Sequence, residues 1–357
     1  MLHLVGNKNN EHEKVVMTTD ADSGLTAIIA IHNTRLGPAV GGCRMFPYAQ
    51  DDDALEDALR LSRGMTYKSA LAGLPFGGGK SVIIGDPRRD KTPALLRAMG
   101  EFVNSLAGHY CIAEDSGTSP ADMRVIAETT PHVTGIEKTC REDPSPATAL
   151  GVFLGLKAGV KQAFGHDTLT GRTVAIQGLG HVGYHLAGYL SAAGAKVFAS
   201  DINAENLLRA EKDFGIEPVA PEKILHHTCD ILAPCAMGAI LNEDSIAKLR
   251  TQVIAGAANN QLATDADDDR LKARNIIYCP DFAINAGGIV DIYQQQQSAS
   301  QETRALAIQR IGQNVADILE RAQGMKLGAQ QIAVAVAEEK LNACSQNERV
   351  YQWAGNP

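Results

Sequence analysis

Residues 173–201 read TVAIQGLGHVGYHLAGYLSAAGAKVFASD. An apolar run suited to a strand (173–177) leads into Gly178, Gly180 and Gly183, spaced G-x-G-x-x-G. A helix-like segment follows, and a second apolar run ends in Asp201, eighteen residues beyond Gly183. Strand, glycine turn, helix, strand and terminal acid together are the context that a dinucleotide-binding βαβ unit requires. Gly178 permits the tight turn, Gly180 a close approach of backbone to a pyrophosphate, and Gly183 close packing of helix on strand. His181 and Val182 sit where the helix N-terminus meets the phosphates, and the aligned amide dipoles there favour an anion. Asp201 would accept hydrogen bonds from the adenosine ribose and repel a 2′-phosphate. No arginine follows in Ile202-Asn203, so the expected cofactor is NAD.

Working outward, the alternation continues. Short apolar runs recur after residue 172 (AKVFAS, CDILAP, TQVIAG, NIIYC), most of them separated by helical segments, which predicts a parallel sheet covered on both faces. Ligands of such a sheet bind at the carboxyl ends of the strands. Three of those ends carry small or amide residues: APCAMG (233–238), AGAANNQ (255–261) and PDFAINAGG (280–288). Cys235, Ala236 and Ala257 are small enough to let a flat ring approach, and with Asn259 and Asn285 they are the expected cofactor contacts. Asn259, Asn260 and Asn285 can complement a carboxamide or carboxylate, although an Asn pair also suits a plain turn. Before this region, residues 1 to about 135 mix strands and helices. TCREDPSP (139–146) reads as a hinge, with Ser145 as N-cap and Pro146 as first helical position. The chain from about 301 reads as helix, and the glutamine run 294–297 as a solvated helix face.

Composition narrows the function. A chain of 357 residues suggests about two domains. The net charge of −8 argues against a nucleic-acid or anionic-membrane partner. No apolar run reaches membrane-spanning length, and the N-terminus is too polar for a signal peptide. Cysteines 43, 111, 140, 229, 235, 279 and 344 form no C-x-x-C pair, which points to reduced thiols in the cytoplasm. No metal-ligand spacing and no G-x-S-x-G nucleophile elbow is present.

GLPFGGGKS (73–81) superficially resembles a triphosphate loop, but Leu74 stands where the first glycine is needed. A helix-like stretch precedes it and a strand-like one follows, the reverse of a phosphate loop. Lys80 therefore has another use. Three glycines before it would bring backbone close to a ligand, and in a desolvated site near a second cation its pKa falls. A fall from ~10.4 to ~7–8 corresponds to roughly 4 kcal/mol and would yield a general base. On the preceding helix, Ala54, Ala58, Leu61, Met65, Lys68 and Ala72 lie within about 40° of one line. Lys68 either snorkels to water from this apolar stripe or is a fixed cation for a substrate carboxylate. Asp115, in CIAEDSGTSP, either shuttles a proton or caps a turn.

The stretches GPAVGGCRMFPY (37–48), LRLSRGMTYKSALAGLPFGGGKSVIIGDP (59–87), AEDSGT (113–118), DPSPATALGV (143–152), QGLGHVGYHLA (177–187), ILAPCAMGAILN (231–242), VIAGAANNQL (253–262) and PDFAINAGGI (280–289) strongly resemble the amino-acid dehydrogenases of the glutamate/leucine/phenylalanine/valine superfamily. The nearest branch is the leucine dehydrogenases. The resemblance implies an α/β fold of two domains separated by a cleft. Residues 1–140 would form a substrate-binding, catalytic and oligomerisation domain, to which a C-terminal helix of about 325–357 returns. Residues 147–325 would form a Rossmann-type, doubly wound NAD-binding domain. It implies Lys80 and Asp115 as catalytic residues and Lys68 as the holder of the substrate α-carboxylate. Gly41, Gly42 and Met65 would line the substrate site, Asn260 would contact the carboxylate and Asn285 would lie near the nicotinamide. Val40, Ile289 and Ile292 would face the substrate side chain. All three are aliphatic, which favours a branched-chain substrate over a charged one, with aromatic substrates as the alternative. The implied partners are an L-amino acid, its 2-oxo acid, ammonium and further copies of the chain (dimer to octamer). Cys43 stands where the leucine dehydrogenases commonly have threonine, and Ser116 where they have valine.

Overall fold

The computed structural model describes residues 2–4, 11–136, 143–236 and 238–344. The chain divides into two units, one made of residues up to 142 with those from 338 onward, the other of residues 143–337. Part of the expected hinge (139–142), Cys140, Met237 and the tail from 345 lie outside the described residues.

The first unit runs β1 (Leu2–Leu4), β2 (Lys14–Asp20), β3 (Leu25–Asn33), β4 (Ala39–Phe46), α1 (Asp51–Ala72), β5 (Gly77–Ile84), α2 (Pro93–Asn104), β6 (Tyr110–Glu114) and α3 (Pro120–Ile126). Its sheet has the order β1-β2-β3-β5-β4-β6. β2, β3 and β5 are antiparallel neighbours, and β4 lies parallel between β5 and β6. β3 reads LTAIIAIHN, a near-continuous apolar run, because both of its faces are covered. On one face Leu95, Met99, Phe102 and Val103 of α2 meet Val16, Ile29, Ile31 and Ile112. On the other, Ala54 and Ala58 of α1 meet Val15, Ile28, Ala30 and Val82. Asp51, Asp52 and Asp53 sit in the first turn of α1, where they complement its dipole. Gly73, left-handed with φ 68°, ends it.

The apolar stripe expected on α1 holds only for its first half. Toward the C-terminus the packed face is Ser62, Thr66 and Ser69, each 0% exposed, while Met65, Lys68 and Ala72 are half-buried. The cause is the glycine run of β5. A Cβ on Gly78 would lie 2.1 Å from the Thr66 backbone N, and one on Gly79 would lie 2.6 Å from the Tyr110 ring. These glycines let β5 pass close to α1 and Tyr110.

The second unit comprises α4 (Ser145–Phe164), β7 (Thr173–Gln177), α5 (His181–Ala192), β8 (Lys196–Ser200), α6 (Ala204–Phe214), β9 (Glu217–Pro218), α7 (Pro221–Ile224), β10 (Ile231–Pro234), α8 (Glu243–Lys248), β11 (Val253–Ile254), α9 (Ala266–Ala273), β12 (Ile277–Tyr278), α10 (Asp281–Ile284), α11 (Gly287–Gln296), α12 (Gln301–Met325) and the start of α13 (Ala329–Cys344). Its sheet is parallel throughout, in the order β12-β11-β10-β7-β8-β9. The strand order reverses between β7 and β10, the switch point at which a dinucleotide crevice opens. Ser145 opens α4 instead of capping it. Pro144 takes the cap position, and the Ser145 N–H donates to Asp143 Oδ1 at 2.9 Å. The end of α13 belongs to the first unit, where Glu338 Oε1 accepts from Tyr67 OH (2.8 Å) and Lys340 Nζ donates to Leu71 O (3.0 Å). No helix among the described residues is long and apolar enough to cross a membrane.

One buried acid gives this unit a pH dependence. Asp268 on α9 is 2% exposed and accepts the Gln331 N–H at 3.1 Å. Burial, reinforced by Asp269, pushes its carboxyl up to about 6, although the backbone bond pulls the other way. The folded state then binds more protons than the unfolded state between about pH 4 and 6, so this group makes stability rise as pH falls through that window. Asp268→Asn is expected to be more stable than the native chain by about 2–3 kcal/mol at pH 7.5, with the advantage vanishing near pH 4. Urea midpoints across that range check it; an advantage independent of pH would refute it.

Candidate active site

Lys80 lies within β5, Asp115 immediately after β6, and β4 runs between those strands. A side chain at position 42 would put its Cβ 2.7 Å from the Asp115 Cβ. The bare backbone of Gly42 is therefore what allows the Asp115 side chain to lie across β4. It reaches Lys80, and Lys80 Nζ donates to Asp115 Oδ2 at 2.5 Å. The lysine side chain is 6% exposed and the aspartate 20%. Gly41 serves the strands themselves, since a Cβ there would lie 1.8 Å from Gly79 O. Beneath it Tyr110, fully buried, donates to Gly41 O at 2.7 Å and reaches Ser81 Oγ at 3.0 Å.

The turn after β6 is pinned as well. The Asp115 N–H donates to Thr118 Oγ1 (3.0 Å), and that hydroxyl donates to Cys43 O (2.8 Å). Positions 42 and 44 share a face of β4, so Arg44 joins the pair. Its Nε donates to Asp115 Oδ2 at 3.2 Å and one terminal nitrogen to Asp57 Oδ2 at 2.8 Å; Tyr48 OH donates to that same Asp57 oxygen. Burial raises the Asp115 pKa, but the charges of Lys80 and Arg44 outweigh it and hold the carboxyl well below the usual carboxylate range. Asp115 is thus an ionised acceptor at any physiological pH. Cys43, 0% exposed beside this cluster, is no nucleophile: burial pushes its thiol up to about 12. Val40 is buried in β4, and Met65 and Lys68 are half-buried on α1. No sequence signal assigns a role to Arg44, Asp57, Tyr48 or Thr118.

In the second unit the glycine turn divides its work. Gly178 has φ 95°, a conformation that excludes ordinary side chains. A Cβ on Gly183 would lie 2.0 Å from Gly178 O, whereas one on Gly180 would meet nothing within 4 Å. Gly180, at the N-cap of α5, is thus the glycine that faces open space. His181 beside it is exposed and Val182 half-buried. Asp201 accepts the Leu179 N–H (2.6 Å) and the Asn203 N–H (2.7 Å), which ties the glycine turn to the end of β8.

Past β11, Asn285 donates its amide to Ala257 O (3.1 Å) and Asn259 Oδ1 (2.9 Å). Its own Oδ1 is buried without a hydrogen-bond partner, an acceptor suited to an amide donor such as a carboxamide. Asn260, left-handed with φ 51°, donates its N–H to Asp281 Oδ2 at 2.5 Å. Cys235 is half-buried, Ala236 exposed and Ala257 half-buried at the neighbouring strand ends. Ile289 and Ile292 are half-buried, one helical turn apart on α11. The open Gly180 turn, the Asp201 carboxylate and the unsatisfied Asn285 oxygen fit a dinucleotide with a ribose hydroxyl at one end and a carboxamide at the other. No cluster of three or more metal-ligating side chains occurs among the described residues.

Residues 12–132 match the Glu/Leu/Phe/Val dehydrogenase dimerisation domain, and residues 141–205 and 201–347 match the Glutamate/Leucine/Phenylalanine/Valine dehydrogenase domain. A leucine dehydrogenase of Thermoactinomyces intermedius is 47% identical over 333 residues, covering 93% of this chain and 91% of its own. A phenylalanine dehydrogenase of Caldalkalibacillus thermarum is 40% identical over 339 residues, covering 93% and 92%. The crystal structure of L-tryptophan dehydrogenase from Nostoc punctiforme superposes with a TM-score of 0.78 at 40% identity, covering 94% of this chain and 98% of that one.

Proposed function

The chain belongs to the glutamate/leucine/phenylalanine/valine dehydrogenase family, and on that premise we propose that it catalyses NAD-dependent, reversible oxidative deamination of branched-chain aliphatic L-amino acids. The observation that carries the reading is the buried Lys80–Asp115 pair at 2.5 Å. The pair can hold and pass a proton without a metal or a nucleophile.

Lys68 binds the substrate α-carboxylate, beside the backbone of Gly41 and Gly42 and the side chain of Met65. Val40 in the first unit and Ile289 and Ile292 in the second are aliphatic, which suits a branched side chain over a γ-carboxylate that would lose its hydration. NAD, where bound, would supply the acceptor for the hydride from Cα. Gly178, Gly180, His181, Val182 and Gly183 would cradle its pyrophosphate, and Asp201 would accept from its ribose. Cys235, Ala236, Ala257, Asn259 and Asn285 would hold its nicotinamide end. Lys80 takes a proton from the water that adds to the substrate iminium carbon, forming the C–O bond. Asp115 relays a proton to the nitrogen, so that ammonia leaves as the C–N bond breaks and the 2-oxo acid remains. Placing these groups in advance lowers the reorganisation needed at the reacting carbon.

The match of residues 12–132 to a dimerisation domain supports a homo-oligomer. The free cysteines among the described residues suit the reducing cytoplasm.

A panel of L-leucine, L-valine, L-isoleucine, L-phenylalanine, L-tryptophan and L-glutamate, each with NAD and with NADP, tests the proposal. The highest kcat/KM is expected for a branched-chain substrate with NAD. Faster turnover of the aromatic substrates would make the chain an aromatic amino-acid dehydrogenase. NADH binding with no turnover of any substrate would make it a sensor.

A further inference from the structure

Lys80 and Asp115 do not stand alone, and the groups behind them carry charge. Arg44 bridges two carboxylates, with Nε on Asp115 Oδ2 (3.2 Å) and a terminal nitrogen on Asp57 Oδ2 (2.8 Å). Tyr48 OH caps the Asp57 oxygen from the far side. Arg44 reaches the pair because it lies two residues beyond Gly42, on the strand face across which Asp115 reaches Lys80. Asp57 comes from α1, which packs on that face. The cluster alternates in sign, Lys80(+), Asp115(−), Arg44(+), Asp57(−), with side chains between 6% and 24% exposed. At such burial each charge acts on the next with little solvent screening.

We propose that Arg44, backed by Asp57 and Tyr48, is a positioning residue that fixes the Asp115 carboxylate on Lys80 and sets the pH at which the pair exchanges its proton. This rests on the deamination reading of the same site. The geometry favours Arg over Lys here. One guanidinium engages both carboxylates through separate N–H groups, which a single ammonium on a flexible stem cannot reproduce in the same plane. Asp115 Oδ2 receives both cations, so Arg44 also decides which oxygen faces Lys80.

The test is the pH dependence of kcat/KM for L-leucine in Arg44→Met, Arg44→Lys and Asp57→Asn. Removing the positive charge makes proton release from the pair harder. Arg44→Met is expected to move the acid limb to higher pH by about 1 unit and to lower kcat about tenfold or more, with KM for L-leucine little changed. Asp57→Asn removes a negative charge and is expected to move the limb the other way, to lower pH. Arg44→Lys is expected to recover the limb position but not the full kcat. Opposite displacements from two neighbouring side chains are not what loosened packing produces. Limbs that coincide with the native one, or that move in the same direction in both charge-removing variants, overturn the proposal. Should Arg44→Met fail to fold, the direction of the Asp57→Asn shift decides alone. If the native chain turns over no amino acid, the deamination reading fails by itself. The Arg44 inference is then decided by carboxyl NMR titration of Asp115, expected to move up in Arg44→Met and overturned if it does not move.

Discussion

Lys80→Ala is expected to lower kcat for L-leucine deamination by about 10²–10⁴-fold, the usual worth of a general acid–base group, while leaving NADH affinity close to native. The two halves of this expectation have separate origins. Lys80 sits in β5 of the first unit and is paired with Asp115. The glycine turn, Asp201 and Asn285, proposed to hold the dinucleotide, belong to the second unit. The fold should survive the truncation because Arg44 still neutralises Asp115; no buried charge is orphaned. Steady-state NADH formation measures the first half and quenching of protein fluorescence by NADH the second. A variant that keeps near-native kcat would remove Lys80 from the chemistry. One that loses NADH affinity as well would mean that the substitution disturbs more than proton transfer.

Arg304→Ala is expected to destabilise the second unit by about 3–5 kcal/mol. Arg304 grips Asp291 through two bonds, Nε to Oδ1 at 2.7 Å and a terminal nitrogen to Oδ2 at 2.9 Å. Gln295 adds a third, to Oδ2 at 2.7 Å. The Asp291 side chain is 4% exposed. Truncating the arginine therefore strands a desolvated carboxylate that one neutral amide cannot balance. The pair joins α12 to α11, the helix that carries Ile289 and Ile292. The double variant Asp291→Leu/Arg304→Met is expected to cost far less, since it removes both charges at similar volume. Urea unfolding gives both values. A loss below about 1 kcal/mol in Arg304→Ala would place the pair among the weak surface bridges.

What the sequence disclosed follows from how far apart the cooperating residues lie along the chain. The glycine turn and Asp201 were legible because all the parts of that unit fall within 29 residues, and each glycine has its own physical reason to be there. The parallel sheet was legible because a strand covered on both faces must be apolar throughout. The mixed sheet of the first unit was not. The antiparallel pairing of β3 with β5 joins residues far apart in the chain, Ala27 with Ile83 and Asn33 with Gly78 at its ends, and nothing local specifies it. The same limit hid Arg44 and Asp57. Each looks like a solvated charge on its own element; the register of β4 beside β6 brings Arg44 to Asp115, and the packing of α1 brings Asp57 to Arg44. Gly78 and Gly79 show a related limit. A missing side chain marks a close approach but does not say what approaches, and on the side of the absent Cβ it is Thr66 and Tyr110. The register likewise left Lys68 off the packed face of α1, where Ser62 and Thr66 lie against Gly78.

The central claim is that Lys80 and Asp115 act as one proton-exchanging unit, and a double-mutant cycle on kcat tests it most directly. Residues that work as a unit are non-additive. Lys80→Ala/Asp115→Asn is therefore predicted to turn over L-leucine about as slowly as Lys80→Ala alone. A double variant whose loss equals the product of the two single losses would show that the two side chains act separately, and would contradict the account.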